Sequence, residues 1–435
     1  MKTVAFISAN LALGVMCSEL RGQTKPVQTL RFSQYLQTVF ANDAQIKSIN
    51  QQQAAASAET DYQDYNYKPQ YSLEGSTGLT GNLFPTSGGY LHNFGVYATK
   101  TIYNKKYQFN KRFQERIEKE FPAQVLVRKA SLTILLVNLF LDFQREKETL
   151  KLIDKHRKII EDFKQDAIIK TRQREVTKTS IAQAQSRLLR NRTLFLQARQ
   201  NISEFKTSLL SYNVGSIPTA LYLPKLPNLA KDPNQGINKK ALRNLFAKRA
   251  DYQLQQRRIE TATAAIENKQ NEFSPDLQVR SSVKHIVPRT VSTTWTVELL
   301  FNMPLFNRQQ TRKFSTGAQL QRKAQVHLLE DIVTQNIEAF RQAQNQLRFN
   351  KQLMKNLEKA SENSEKTLVM VLKEYRSGTV GDTSVLQIQD ELFSFESATV
   401  DAIYNLKKIE VQLLALSGQL TLDRIKAAEG IIDYD

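Results

Sequence analysis

Four histidines and one cysteine are the side chains in this 435-residue chain best suited to metal or nucleophilic chemistry. His92, His156, His285 and His327 stand far apart with no ligand spacing, and a metal site needs clustered ligands, so they are read as lone surface histidines. Cys17 is alone, which excludes a disulfide framework, and it lies in a segment expected to be removed, which excludes thiol catalysis. No Gly-rich phosphate loop, nucleophile elbow or paired-Cys motif is present. Asn191-Arg192-Thr193 and Asn201-Ile202-Ser203 match the glycosylation pattern, but both fall inside a helical repeat and are read as chance. The reading is that the chain is not an enzyme and needs no cofactor and no metal.

The remaining chemistry is charge. Lys and Arg number 61 against 42 Asp and Glu, a formal +19, which raises the question of nucleic acid. The cations are interleaved with anions, as in Lys105, Lys106, Lys111, Arg112, Glu115, Arg116, Glu118 and Lys119, which describes a solvated helix face. No nucleic-acid motif accompanies them, and no nucleic-acid partner is expected.

The elements that position these residues come in pairs. Ile181, Ala184, Leu188, Asn191, Phe195, Ala198, Ile202, Phe205 and Leu209 alternate steps of three and four. Residues Val385, Ile388, Leu392, Phe395, Thr399, Ala402, Leu406, Ile409 and Leu413 repeat the series 204 positions on. Both are coiled-coil seams, and their fixed long offset marks an internal duplication. Lys68-Pro69-Gln70-Tyr71 and Ser274-Pro275-Asp276-Leu277, and Gly215 and Gly418, pair at nearly the same offset. The expected organisation is a secretory leader over 1–22, repeat one over 23–215, a Pro-rich linker over 216–240 outside the core, repeat two over 241–418, and a tail over 419–435. The leader rests on Lys2, the apolar run Val4 to Met16, and Leu20-Arg21-Gly22 before Gln23.

Gly and Pro are sparse, at 15 and 11, so helix should dominate. No run approaches 18 uninterrupted apolar residues, so no membrane-spanning helix is expected, and Leu132 to Phe143 is read as a buried helical seam. Period-two alternation appears after each proline. Leu277, Val279, Ser281 and Val283 alternate with Gln278, Arg280, Ser282 and Lys284, and Trp295, Val297, Leu299 and Phe301 alternate with Thr296, Glu298 and Leu300. About nine residues per strand is the length a tilted strand needs to cross a bilayer. Alternation sends Val297, Leu299 and Phe301 to lipid and Arg280, Lys284 and Glu298 to a lumen. Hairpins are expected at about 70–103 and 276–304. Four strands cannot close a barrel and open edges are not tolerated in lipid, so the chain must share one barrel with copies of itself, and three copies would give twelve strands. From Arg308 to Tyr375 the seam runs on without proline, a helix of about 100 Å.

The duplicated plan, with Trp295-Thr296-Val297-Glu298-Leu299-Leu300-Phe301-Asn302-Met303-Pro304-Leu305-Phe306-Asn307, resembles the TolC-like outer membrane efflux proteins, in which a strand ending in Pro-Leu-Phe enters the long helix. Arg249-Ala250-Asp251 with Phe273-Ser274-Pro275-Asp276-Leu277 looks like the family's start of repeat two, and Tyr375-Arg376-Ser377-Gly378-Thr379 is similar to its hairpin tip. The resemblance implies a mainly α protein with a small membrane β part: a homotrimeric 12-strand barrel in the outer membrane lipid, continuous with a periplasmic α-helical barrel. It implies a duct that performs no chemistry and works with a periplasmic adaptor and an inner-membrane pump, in efflux or, alternatively, in type I protein secretion. A soluble coiled-coil scaffold is the reading from another class, and it leaves the four strands unexplained. By resemblance, Tyr375, Ser377, Gly378 and Thr379 form the adaptor-docking tip, and Asp382, Ser384 and Gln387 face the pore constriction near the basic first tip with Arg172, Arg174 and Lys178. Well-studied relatives place acidic residues where Ser384 and Gln387 stand, so an anionic entrance is not expected here.

Overall fold

The computed structural model describes residues 30–65, 67–80, 89–173, 178–212, 215–226, 239–287, 292–304 and 308–430. The leader, Arg174 and part of the Pro-rich stretch lie outside these residues.

Each half builds the same series. In the first, α1 (Phe32–Asn42) and α2 (Ala44–Tyr65) lead into β1 (Gln70–Thr80) and β2 (Gly89–Asn104), then α3 (Lys105–Glu118), α4 (Glu120–Arg172) and α5 (Lys178–Leu210). In the second, α6 (Lys239–Phe246) and α7 (Ala250–Gln270) lead into β3 (Asp276–Val287) and β4 (Ser292–Asn302), then α8 (Arg308–Arg376) and α9 (Asp382–Leu416). A last helix, α10, covers Leu422–Gly430. The 69 residues of α8 extend about 100 Å at ~1.5 Å per residue.

The heptad seams form two helical hairpins, α4 with α5 and α8 with α9. Ala184, Asn191, Ala198 and Leu209 are buried on α5, as are Val385, Leu392, Ala402, Ile409 and Leu413 on α9. The polar seam residue Asn191 donates to the Ile153 carbonyl at 3.2 Å, a bond that favours one register of α5 on α4.

Packing concentrates in three places. The main core joins Phe32, Tyr35 and Leu36 of α1 to Leu132, Leu136 and Phe140 of α4 and Val411 and Leu414 of α9. A second cluster seats Leu242 and Phe246 of α6 on Phe340, Ala343 and Leu347 of α8. A third, at the far end of the hairpins, holds Phe163, Ala184, Leu368, Tyr375, Val385, Leu386 and Leu392.

The reading of Leu132 to Phe143 as a buried seam holds, and one expectation about connections changes. The α3–α4 stretch is, among the described residues, long and apolar enough to cross a membrane on length and composition. Its apolar side chains Leu132, Leu136, Val137 and Phe140 pack against α1 and the end of α9, so that character serves the main core. The stretch after Gly215 also joins the core: Ile217, Leu221, Leu223 and Leu226 pack on it, and the Thr219 amide donates to the Leu30 carbonyl at 3.3 Å. Leu221 and Leu223 are half-buried there while Tyr222 between them is exposed, a pattern hidden by the turn-forming composition.

The chain end folds back in the same region. Gly418 has φ +64, and a Cβ there would lie 3.0 Å from the Lys248 carbonyl carbon, so only glycine fits beside the α6–α7 junction. Beyond it Leu420 and Ile425 enter the main core. Glu429 of α10 accepts from the Ser33 amide at 3.1 Å and from the Ser33 hydroxyl, capping the first turn of α1.

Candidate functional site

The four strands form one antiparallel sheet in the order β1-β2-β3-β4. Its register puts Leu73 beside Val96, Val96 beside Val283, and Val283 beside Trp295, all on one face. Tyr71, Leu277, Val279, Val297, Leu299 and Phe301 share that face, because side chains alternate along each strand. Trp295 is 77% exposed, and Leu73, Val297, Leu299 and Phe301 about two-thirds exposed. A soluble sheet would bury such a surface.

The opposite face is polar. Arg280 lies opposite Glu298 on β4 and Thr99 on β2, and Lys284 opposite Thr294 and Gly95. Arg280 reaches Glu74 of β1 at 3.4 Å and sits 4.3 Å above the Tyr97 ring, with the Lys284 ammonium 5.5 Å from the same ring. Gly95 makes room for this arrangement: a Cβ there would meet the Tyr97 ring at 3.1 Å and Lys284 Cγ at 3.2 Å. Ser282 and Thr296 are joined across the pair at 2.8 Å. Arg280, Lys284 and Glu298 therefore share one face, which Leu300 also shares. Among the described residues no strand pairs with the outer edge of β1 or of β4.

The far end of the hairpins is the second locus. α8 ends at Arg376; beyond it, Gly378 with φ of +78 permits the tight turn, and the Thr379 amide closes it on the Glu374 carbonyl at 2.9 Å. Ser377, Gly378 and Thr379 are exposed, with the two hydroxyls 2.8 Å apart. Tyr375 differs from the expectation of a docking contact. It is 1% exposed and packs on Phe163 at 5.3 Å, because it occupies a seam position one turn inside the tip. Its backbone carbonyl accepts from the Lys170 ammonium, which also lies 4.6 Å over its ring.

Lys170 belongs to a set of bonds joining the two hairpins at the tip. Arg376 donates to Asp166 at 3.1 Å, and the Ser180 hydroxyl donates to Asp382. Arg187 donates to the Leu386 carbonyl and pairs with Asp390 at 2.8 Å. Asp382 is thus half-buried and engaged, while Ser384, Gln387, Arg172 and Lys178 are exposed nearby. Arg174 is outside the described residues. The sequence reading missed Lys170, Asp166, Ser180, Arg187 and Asp390. One signal was available: Lys170 follows Phe163 and Ala167 at seam spacing, where a lysine must find a buried partner.

Between the main core and the tip, the hairpins meet through charges. Lys408 reaches Asp142 at 2.6 Å, Arg145 reaches Asp401 at 3.8 Å, and Lys155 reaches Glu396 at 2.6 Å. His156 Nε2 lies 2.5 Å from the other Glu396 oxygen, and its ring stands edge-on to Phe393 at 4.9 Å. His156 is 2% exposed, so it is not a surface histidine, whereas His285 and His327 are exposed. Burial raises the Glu396 carboxyl pKa, but the hydrogen bonds from His156 and Lys155 outweigh it and hold the group below the usual carboxylate range.

Comparison with known proteins agrees with this geometry. Residues 241–419 match the family described as outer membrane efflux protein. None of the curated proteins matches the chain at a significant level. The fold is similar to that of CusC, described by its transmembrane channel formation, with a TM-score of 0.75 at 15% identity over 88% of this chain and 91% of that one. The outer membrane protein VceC of Vibrio cholerae gives 0.73 at 12% identity, over 89% and 96% of the two chains. The CmeC outer membrane channel of Campylobacter jejuni gives 0.72 at 13% identity, over 100% and 97%. The second repeat thus matches the outer membrane efflux protein family in sequence, and the chain as a whole is similar in fold to these outer-membrane channels.

Proposed function

We propose that three copies of this chain form the outer-membrane duct of a tripartite efflux system. The observation that carries the reading is the two-faced sheet with two open edges at the end of helices about 100 Å long. Exposed apolar rows on one face suit lipid, and unpaired edges in lipid must be closed. Pairing β4 of one copy with β1 of the next closes twelve strands, an even number within the range of such barrels. Arg280, Lys284 and Glu298 then line the lumen, and the helical hairpins extend the wall into the periplasm. A coiled-coil scaffold gives no account of the apolar face.

The tip is the gate in this reading. Asp382, Ser384 and Gln387 stand at the narrow end, with Arg172 and Lys178 beside it. Ser377, Gly378 and Thr379 form the exposed turn that meets a periplasmic adaptor, through which an inner-membrane pump supplies the energy. The bonds of Lys170 and Ser180 hold the two hairpins together when the duct is closed. Purified protein in planar bilayers tests this. The wild type should show small conductance, and Lys170→Met with Asp382→Asn should raise it several-fold by loosening the tip. A double variant that stays at the wild-type level would contradict the gate, and absence of any channel in all forms would contradict the duct.

A further inference from the structure

We propose that a groove lined by side-chain amides, at the level where α1 and α6 pack on the hairpins, binds uncharged polyhydroxylated solutes passing along the duct. The proposal deepens the duct reading and rests on it. Asn138 of α4, Gln346 and Asn350 of α8, and Asn405 and Gln412 of α9 line one groove of ≈ 700 Å³. Each amide carries donors and an acceptor, the pairing that a hydroxyl group answers with its own donor and acceptor. Asn350 donates to the Gln346 carbonyl at 2.9 Å, which leaves its side-chain oxygen to accept. Asn138 Oδ1 is buried without a hydrogen-bond partner among the described residues, so turning toward an occupant gains it a bond.

Charge and placement narrow the occupant. The two cations lining the groove are already paired, Arg249 with Asp251 at 2.7 Å and Lys408 with Asp142 at 2.6 Å. A charged solute would therefore shed water there without gaining a counter-ion, whereas a neutral one loses nothing of that kind. Ile409 and Leu416 add apolar lining suited to the C–H face of a sugar ring. α1 packs on α9 through Tyr404 and Val411, both buried. Asn405 and Gln412 each follow one residue later, turned about 100° away at ~100° per residue, and both are exposed. Asn138 likewise lies two residues beyond Leu136 of the main core, ~200° around α4. The groove thus opens on the side of the wall away from the α1 layer. A duct must keep its lumen clear, so that layer lies outside and the amides face the lumen.

Equilibrium dialysis of the full chain in a sugar-free detergent, with tri-N-acetylchitotriose as the probe, tests the site. This sugar is neutral and carries hydroxyl and amide groups together. The wild type should bind it saturably, and its deacetylated, cationic form several-fold more weakly. Asn405→Ala with Gln412→Ala removes two exposed amides and should weaken binding about tenfold or more. Ser384→Ala, at the tip, should bind as the wild type does and controls for handling. No saturable binding, equal binding of the cationic sugar, or an unaffected double variant would overturn the proposal. Planar bilayers then test the placement. The sugar should interrupt the wild-type current and leave that of the double variant steady, whereas binding without interruption in a working channel would put the groove outside the lumen and overturn it. Sugar binding by a protein that forms no channel in any form faults the duct, and a working channel that binds no sugar faults the site.

Discussion

At the proposed gate, Ser384 and Gln387 are uncharged. Both are exposed at the start of α9, and the charged neighbours on the first tip, Arg172 and Lys178, are cations. Asp382 does not offset them freely, because its carboxylate accepts from Ser180. Small divalent cations should therefore block the wild-type channel weakly. In the proposed duct, Ser384→Asp with Gln387→Asp would place an anionic ring at the constriction and should introduce tight block in planar bilayers. Equal block in both forms would show that neither residue lines the narrow end. A second residue-scale test concerns Glu429. Replacing it by Ala leaves the Ser33 amide without its partner, at a cost of about 1–3 kcal/mol. Hydrogen exchange across α10 and the first turn of α1 should accelerate about tenfold or more, and unaltered exchange would deny the cap its role. At this scale the sequence was only partly legible. The seam position of Lys170 announced a buried cation, but its partner is a backbone carbonyl 205 positions away, which no side-chain pattern encodes. His156 was misjudged because histidine was weighed only as a metal ligand or a surface group.

The strands and helices were easier to read, wherever one side chain period dominates. β3 and β4 alternate cleanly, so the sequence revealed both faces, and the register pairs Arg280 with Glu298 on the polar side. β1 and β2 were less legible because Gly75, Gly78 and Gly95 interrupt the alternation, and Gly95 is there to seat the Tyr97 ring. The stretch after Gly215 was hidden for the opposite reason: its prolines mark it as a connection while its leucines pack on the core. The facing assignment has a direct test. Leu299→Arg puts a cation on the exposed apolar face and should cost roughly 2–4 kcal/mol if the site is near the bilayer centre, whereas Glu298→Gln should fold as the wild type. Folding yields into lipid vesicles compare the two. Equal yields would mean that the faces are reversed or that the sheet does not meet lipid.

At the scale of the whole molecule, the duplication explains why one chain supplies two hairpins and two long helical pairs, with α3 and α4 answering α8, and α5 answering α9. Among the described residues β1 and β4 have open outer edges, and α5 and α8 leave Leu189, Leu196, Leu328 and Phe349 exposed. Apolar rows on helices that already bury a seam call for a further helical neighbour, and the proposed three-fold closure would provide one for every copy. Stoichiometry is thus the claim on which the lumen, the gate and the wall all depend. Native mass spectrometry of the detergent-extracted protein measures it most directly. The account requires one dominant species at three times the chain mass found under denaturing conditions. A folded monomer or dimer as the main species would contradict it.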